Sequence, residues 1–309
     1  MNLASIDIGS NTILLLIAEY SRESEKLTPL LNCYEAPRIS AQLSMTNLIS
    51  AEKIDLMMDI LGKYKALIEE NKVEITKVVA TKAFRTAENG NLTAKTIREK
   101  FNWDVEILSG EDEARLSFLG SIPFSNPAKK FLVVDIGGGS TELIYGSELS
   151  LSFRKSYDFG AVSLTEKHSP NNPLKITDIK KIKKTIIENA GSIRNNFSAI
   201  PEMIAVAGTP TTLSCIKQGL KTYNEDLVEN SLLTTQDLRE MIDMFSKYSN
   251  DEILNKFGDV VTGREDIILT GTIILLTIAD LVGIDTIKVS TRGLRYGILI
   301  DYLTKFRLE

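Results

Sequence analysis

A chain of 309 residues is longer than one ordinary core usually covers, so two domains are the expectation. With 43% hydrophobic and 25% charged residues its composition is that of a soluble globular protein, and a net charge of −5 argues against a general nucleic-acid binder. Cys33 and Cys215 lie far apart without metal-ligand spacing, which suggests a reducing compartment and no zinc site, and the single His168 excludes any mechanism that needs two histidines.

The first elements are strands at 3–8 and 12–20, joined through Asp7-Ile8-Gly9-Ser10-Asn11-Thr12, with a third strand at 26–37. An amphipathic helix follows over 51–71, with Ile54, Met57, Met58, Leu61, Tyr64, Leu67 and Ile68 on one stripe. Then come a strand at 77–80, a helix at 94–101, a strand at 105–108 and a helix at 111–119. The first apolar stretch lacks a basic flank and contains Asp7, so no secretory signal is expected and the cytoplasm is the default. The turn-rich segment Ser121–Pro127 reads as a linker between a domain over 1–122 and a second over 123–309.

After it the opening pattern returns. A strand at 131–135 ends on Asp135 and leads through Gly137-Gly138-Gly139 and Ser140 into a strand at 141–146 that carries Glu142; another strand spans 150–158. The two aspartates, Asp7 and Asp135, sit at matching strand ends, but Leu14 stands where the second copy has Glu142. Thr12 answers Thr141 only with a one-residue shift. Helices are expected over 175–197, 211–219, 236–248, 250–257 and 264–282, with strands at 203–207 and 286–289. A final helix over 293–305 is a candidate to pack back on the first domain. The long apolar run Ile267–Ile284 carries Thr270, Gly271, Thr272, Thr277 and Asp280, so it reads as a buried core helix rather than a membrane span.

Glycines directly after a buried strand suit a tight turn, and also a backbone that must approach a ligand closely; successive turn N–H groups can form an anion-binding nest. One such turn leaves the two readings even, whereas two copies favour the ligand. Two turns facing each other would hold a chain of phosphates from both sides. Gly208-Thr209 follows another apolar strand and enters a helix whose first N–H groups can take an anion. Asp7, Asp135 and Glu142 either cap their turns or bind Mg²⁺, which bridges carboxylates to phosphate. In Ser109-Gly110-Glu111-Asp112-Glu113, the spacing alone favours a capped helix start over catalysis. Arg85 follows a strand, where its planar fork can clamp a phosphate. Lys180, Lys181, Lys183 and Lys184 read as a solvated helix face.

Eight segments in register carry a resemblance: ASIDIGSNT, VVATKAFRTAENG, ILSGEDEARLSFLG, LVVDIGGGSTELIYG, FGAVSLTEKH, AVAGTPTTL, GREDII and TRGLRYGIL. Over essentially its whole length the chain resembles the exopolyphosphatase / guanosine pentaphosphate phosphatase (Ppx/GppA) family of the actin-like ATPase superfamily. The resemblance implies an α/β fold of two actin-like (ribonuclease H-like) domains, each a mixed sheet flanked by helices, with the active site in the cleft between them. It implies Mg²⁺- or Mn²⁺-dependent hydrolysis of a terminal phosphoanhydride. The catalytic glutamate falls on Glu113, overriding the capping reading, and the phosphate-contacting arginine on Arg85. Metal and water contacts fall on Asp135 and Glu142. The phosphate loops fall on Gly9-Ser10-Asn11-Thr12, on Gly137-Gly138-Gly139-Ser140, and on Gly208 with Thr209.

The resemblance makes an exopolyphosphatase acting on inorganic polyphosphate the leading expectation. A guanosine pentaphosphate (pppGpp) 5′-phosphatase is the alternative, and a non-catalytic polyphosphate or alarmone sensor the alternative of another class. A homodimer without nucleic-acid or membrane partners is expected. Leu14, Ser163 and Tyr296 depart from residues frequent in the family, which bears on substrate choice. The further C-terminal helical domains of longer members are not in the sequence, so a short-chain preference is expected.

Overall fold

The computed structural model describes residues 1–123, 129–147, 150–168, 173 and 175–306. Its contacts divide the chain into two units, Met1–Gly120 with Leu294–Glu309, and Ser121–Gly293. Residues from 294 onward therefore count with the first unit, whereas the sequence division at 122/123 leaves them with the second. Residues 124–127 of the expected linker lie outside the described residues.

The first unit starts with β1 (Asn2–Ile8), β2 (Ile13–Ser21) and β3 (Lys26–Glu35). It continues through α1 (Leu43–Thr46), α2 (Ala51–Glu70), β4 (Ile75–Ala80), α3 (Lys82–Thr86), α4 (Gly90–Phe101), β5 (Val105–Ile107) and α5 (Gly110–Ser121). The sheet order is β3-β2-β1-β4-β5. β1, β2 and β3 are antiparallel; β4 and β5 run parallel to β1. Alternation sends Ala4, Ile6 and Ile8 to one face, where they meet Met57, Leu61 and Ile68 of α2. Ser50 caps α2 by accepting from the Lys53 N–H at 3.3 Å, and the Tyr64 hydroxyl donates to the Ile13 carbonyl at 2.9 Å.

The second unit contains β6 (Phe131–Ile136), β7 (Thr141–Ser147), β8 (Ser150–Tyr157), α6 (Ala161–His168), α7 (Ile176–Ala190), β9 (Glu202–Val206) and α8 (Gly208–Lys217). It goes on with α9 (Glu225–Val228), β10 (Leu232–Thr234), α10 (Thr235–Phe245), α11 (Asn250–Phe257), α12 (Ile268–Val282) and β11 (Thr286–Val289). The order is β10-β11-β9-β6-β7-β8. α10 and α11 each begin with a capping box, Thr234/Asp237 and Ser249/Glu252. The apolar run forms α12, buried nearly all round in this unit's core. Its threonines do not disturb that core, because Thr272 and Thr277 donate to the Ile268 and Ile273 carbonyls at 2.7 and 2.6 Å. Among the described residues no helix is long and apolar enough to cross a membrane.

Both units are thus mixed sheets flanked by helices, built on one repeated core. β1 pairs with β2 and β4 as β6 pairs with β7 and β9. Asp7 lies between Leu14 and Val79; Asp135 lies between Glu142 and Val206.

The last helix, α13 (Gly293–Phe306), belongs to the first unit from Leu294 on. It covers the β1–β2 face opposite α2, where Tyr296, Leu299 and Leu303 join Leu3, Leu16, Ala18 and Tyr20 in one cluster. The Ser5 hydroxyl donates to the Arg295 carbonyl at 2.7 Å, which fixes where the helix sits along β1.

Candidate functional site

The turn of each repeated hairpin closes the same way. The Gly9 N–H donates to the Thr12 carbonyl at 2.8 Å, and the Gly137 N–H to the Ser140 carbonyl at 3.0 Å. Thr12 therefore corresponds to Ser140, not to Thr141 as the sequence comparison suggests; the register needs no shift. In both turns the inner carbonyls are engaged from behind. The Ala161 N–H donates to the Gly137 carbonyl, and the Val162 and Ser163 N–H groups to that of Gly138, at 2.8–3.0 Å. In the first unit the Ser40 and Arg38 N–H groups reach the Ser10 and Asn11 carbonyls at 2.9 and 3.0 Å.

A trans peptide points its C=O and N–H in opposite directions. Tying back the carbonyls of residues 137 and 138 aims the N–H groups of Gly138 and Gly139 the other way. The same geometry aims those of Asn11 and Thr12. Successive N–H groups directed to one side are the arrangement that an anion nest uses. The α6 device depends on Gly160, where a Cβ would lie 2.5 Å from the Gly138 carbonyl oxygen and 2.6 Å from that of Gly137.

The acids at the two hairpins differ. Asp135 and Glu142 are directly opposed on antiparallel strands, so their side chains share a face. Glu142 is 1% exposed and accepts from the Ser156 hydroxyl of β8 at 2.6 Å. Asp7 has Leu14 at the corresponding position. Like charges directly opposed destabilise a sheet, and a bound cation removes that penalty. Two carboxylates offering only oxygen fit Mg²⁺, which takes one or two protein carboxylates and fills its shell with water and substrate phosphate. Among the described residues no three His, Cys, Asp or Glu side chains gather as a protein-only metal cage. Asp7 is in the first unit, and Asp135 and Glu142 are in the second.

The acid run before α5 divides by role. Ser109 accepts from the Asp112 N–H at 3.0 Å and donates to the Asp112 carboxylate at 2.7 Å, so Asp112 completes the helix cap that the spacing suggests. Glu113, next along, turns inward and is 8% exposed. Nη1 of Arg85 donates to Glu113 at 2.6 Å and to the Leu108 carbonyl at 2.7 Å. The sequence lists Glu113 and Arg85 as separate candidates; the fold joins them through parallel β4 and β5.

The third segment enters α8 through Ala207, whose φ of +73° is a strained value for a residue with a Cβ. The Arg264 guanidinium lies against Gly208, in the space a Cβ there would take, and Thr209 is buried against Gly271. Arg264, from the GREDII segment, is a cation beside this helix start to which the sequence reading gives no role. Its only signal is that segment, which contributes no spacing rule of its own.

The departures sort themselves by position. Tyr296 is 3% exposed within the core under α13, which removes it from direct contact with a ligand. The Ser163 hydroxyl accepts from the Gly160 N–H at 2.9 Å, so it braces the loop behind the glycine turn. The lysines of α7 form the expected surface face, with Lys181 on Asp178 at 3.0 Å and Lys184 near Glu188 at 3.7 Å.

Two mixed-sheet units with a common hairpin and an acid at each mouth define a duplicated α/β protein. The sequence model of the Ppx/GppA phosphatase family matches residues 16–306, and the chain belongs to that family of hydrolases. It is 30% identical over 312 residues to a bifunctional 3-dehydroquinate synthase/phosphatase of Fusobacterium nucleatum, covering 96% of this chain and 46% of that protein. It thus spans about half of that relative. It is 27% identical over 316 residues to exopolyphosphatase 2 of Mycobacterium tuberculosis, covering 96% of this chain and 97% of that one. The crystal structure of the Aquifex aeolicus Ppx/GppA family member superposes with a TM-score of 0.83 at 28% identity, covering 99% of this chain and 98% of that one.

Proposed function

We propose that the protein is an exopolyphosphatase that hydrolyses the terminal phosphoanhydride of inorganic polyphosphate and releases orthophosphate. The observation that carries this reading is the repetition of one anion-oriented turn in both units, which suits a substrate with several phosphates. Similarity to exopolyphosphatase 2 along nearly its full length supports it.

Glu113 is the general base in this proposal. It takes a proton from water as the water oxygen bonds to the terminal phosphorus, and the anhydride P–O bond breaks to leave a chain one phosphate shorter. Arg85 already donates to Glu113, and its guanidinium has further N–H groups for an equatorial phosphate oxygen. The turn N–H groups hold the phosphates, with Gly208 and Thr209 as a third contact beside Arg264. Asp135 and Glu142, with Asp7, would hold Mg²⁺, which supplies charge neutralisation at the phosphate oxygens.

Phosphate release from polyphosphates of defined length, pppGpp and ATP, each with and without Mg²⁺, tests the reading. Polyphosphate should give the highest kcat/KM. A preference for pppGpp would make the protein a guanosine pentaphosphate phosphatase, and binding without turnover would make it a sensor. Glu113→Gln should lower kcat by roughly 10²–10⁴ while leaving the thermal unfolding midpoint nearly unchanged. Undiminished release by that variant would remove Glu113 from the chemistry.

A further inference from the structure

Three features attach α13 to the element that carries Glu113. Nη1 of Arg115 donates to Asp301 of α13 at 2.6 Å, and Lys305 holds the other oxygen of the same carboxylate at 2.7 Å. At Gly297 the α13 backbone lies directly on the Leu116 carbonyl of α5, with no room for a Cβ. Leu294 and Ile298 pack with Leu116, Leu108 and Val79, and Leu108 supplies the carbonyl that Arg85 grips. At the other side of α13, the Ser5–Arg295 bond sets its position against β1, two residues before Asp7.

Arg115 is two residues beyond Glu113, about 200° further round the helix. One side of α5 therefore faces Arg85 and the other faces α13. A pull on Arg115 turns the helix about its own axis and moves Glu113 with it. The ion pair is partly exposed, with 31% of the Arg115 and 18% of the Asp301 side chain accessible, so it adds little to stability. The Ser109 cap and the burial of Ala114, Leu116 and Phe118 already hold α5 in place. The Arg115–Asp301 pair adds a hold on the side of α5 away from Arg85.

We propose that Asp301 and Arg115 are positioning residues for catalysis, and that α13 sets the rotation of α5 and hence the aim of Glu113. This rests on Glu113 being the general base. A base displaced by about 1 Å loses on the order of 10² in rate, without any change in the groups that bind phosphate.

The test uses the full chain. Asp301→Ala and Arg115→Ala should each lower kcat about 10- to 100-fold on polyphosphate. KM should stay within about threefold, and the thermal midpoint within a few degrees. The double exchange Arg115→Asp with Asp301→Arg should recover most of the kcat that either exchange alone removes. Single variants with wild-type kcat, or losses that follow only the unfolded fraction, would overturn the proposal. If the alanine variants do not fold, Arg115→Met decides: it keeps the apolar stem but removes the donor to Asp301, so unchanged kcat would count against positioning. Glu113→Gln is assayed in parallel. An active Glu113→Gln protein refutes the base itself, whereas an inactive one beside a fully active Asp301→Ala refutes only the positioning.

Discussion

Ser156 illustrates how a neutral side chain can govern a charged site. It donates to the Glu142 carboxylate at 2.6 Å from the neighbouring strand and so would fix which lone pairs remain for the proposed Mg²⁺. Removing a hydrogen bond of this kind behind a metal ligand typically weakens metal affinity 10- to 100-fold. Ser156→Ala should therefore raise the Mg²⁺ concentration needed for half-maximal phosphate release by about that factor, with kcat at saturating Mg²⁺ much less affected; an unchanged Mg²⁺ titration would dissociate Glu142 from the metal. At this scale the sequence offers candidates for the chemistry, but not their pairing. Asp112 and Glu113 are adjacent acids with opposite assignments, one closing a helix cap and the other buried against Arg85. Nothing in their spacing separates them, because the choice depends on β5 bringing Leu108 beside α3.

Among the elements, long periodic ones are legible and short ones are not. The α2 stripe, the mainly apolar α12 and both hairpins follow from pattern alone. The eight-residue α6 does not, since only Ala161 and Leu164 of it are buried and its contribution is made by backbone N–H groups. The same holds for α3, five residues that place Arg85, and for α8, which starts at Gly208 rather than 211 because Pro210 is tolerated in a first helical turn. The expected helix over 175–197 ends at Ala190, with a short 3₁₀ turn over Ile193–Asn196. α6 yields a prediction of its own. Gly160→Ala would drive a methyl into two carbonyl oxygens, and overpacking of this type costs about 1–3 kcal/mol. The variant should unfold at lower temperature and show a raised KM for polyphosphate; a stable protein with unaltered KM would mean the turn does not depend on α6.

For the whole molecule, acid should act through a small set of paired carboxylates. Burial works to raise Glu202, Asp237 and Asp301, but their hydrogen-bond donors outweigh it: Lys129 and Lys288 for Glu202, Lys217 and the neutral Thr234 for Asp237, and Arg115 with Lys305 for Asp301. All three are held below the ordinary carboxylate range. Their stabilisation is complete above the unfolded values, near pH 4, and is lost as pH falls through the folded ones. Glu166 works in the opposite sense, because burial and Asp266 raise it. The thermal midpoint should hold from neutrality to about pH 4.5 and then drop; a steep fall between pH 7 and 5 would point to other groups.

The path of the chain has a consequence for how the protein is made. The second unit is one continuous stretch, 121–293, with a core drawn from its own residues, whereas the first is closed only by residues from 294 on. A fragment spanning 121–293 should unfold cooperatively, and one spanning 1–120 should expose Leu3, Leu16 and Tyr20 and aggregate unless a peptide of α13 is added. A soluble, cooperative 1–120 fragment would contradict this. On a ribosome adding about 5–20 residues per second, the 173 residues of the second unit pass between the two parts of the first. The half that is translated first is the half that is finished last, and for roughly ten seconds or more its apolar sheet face is work for a chaperone.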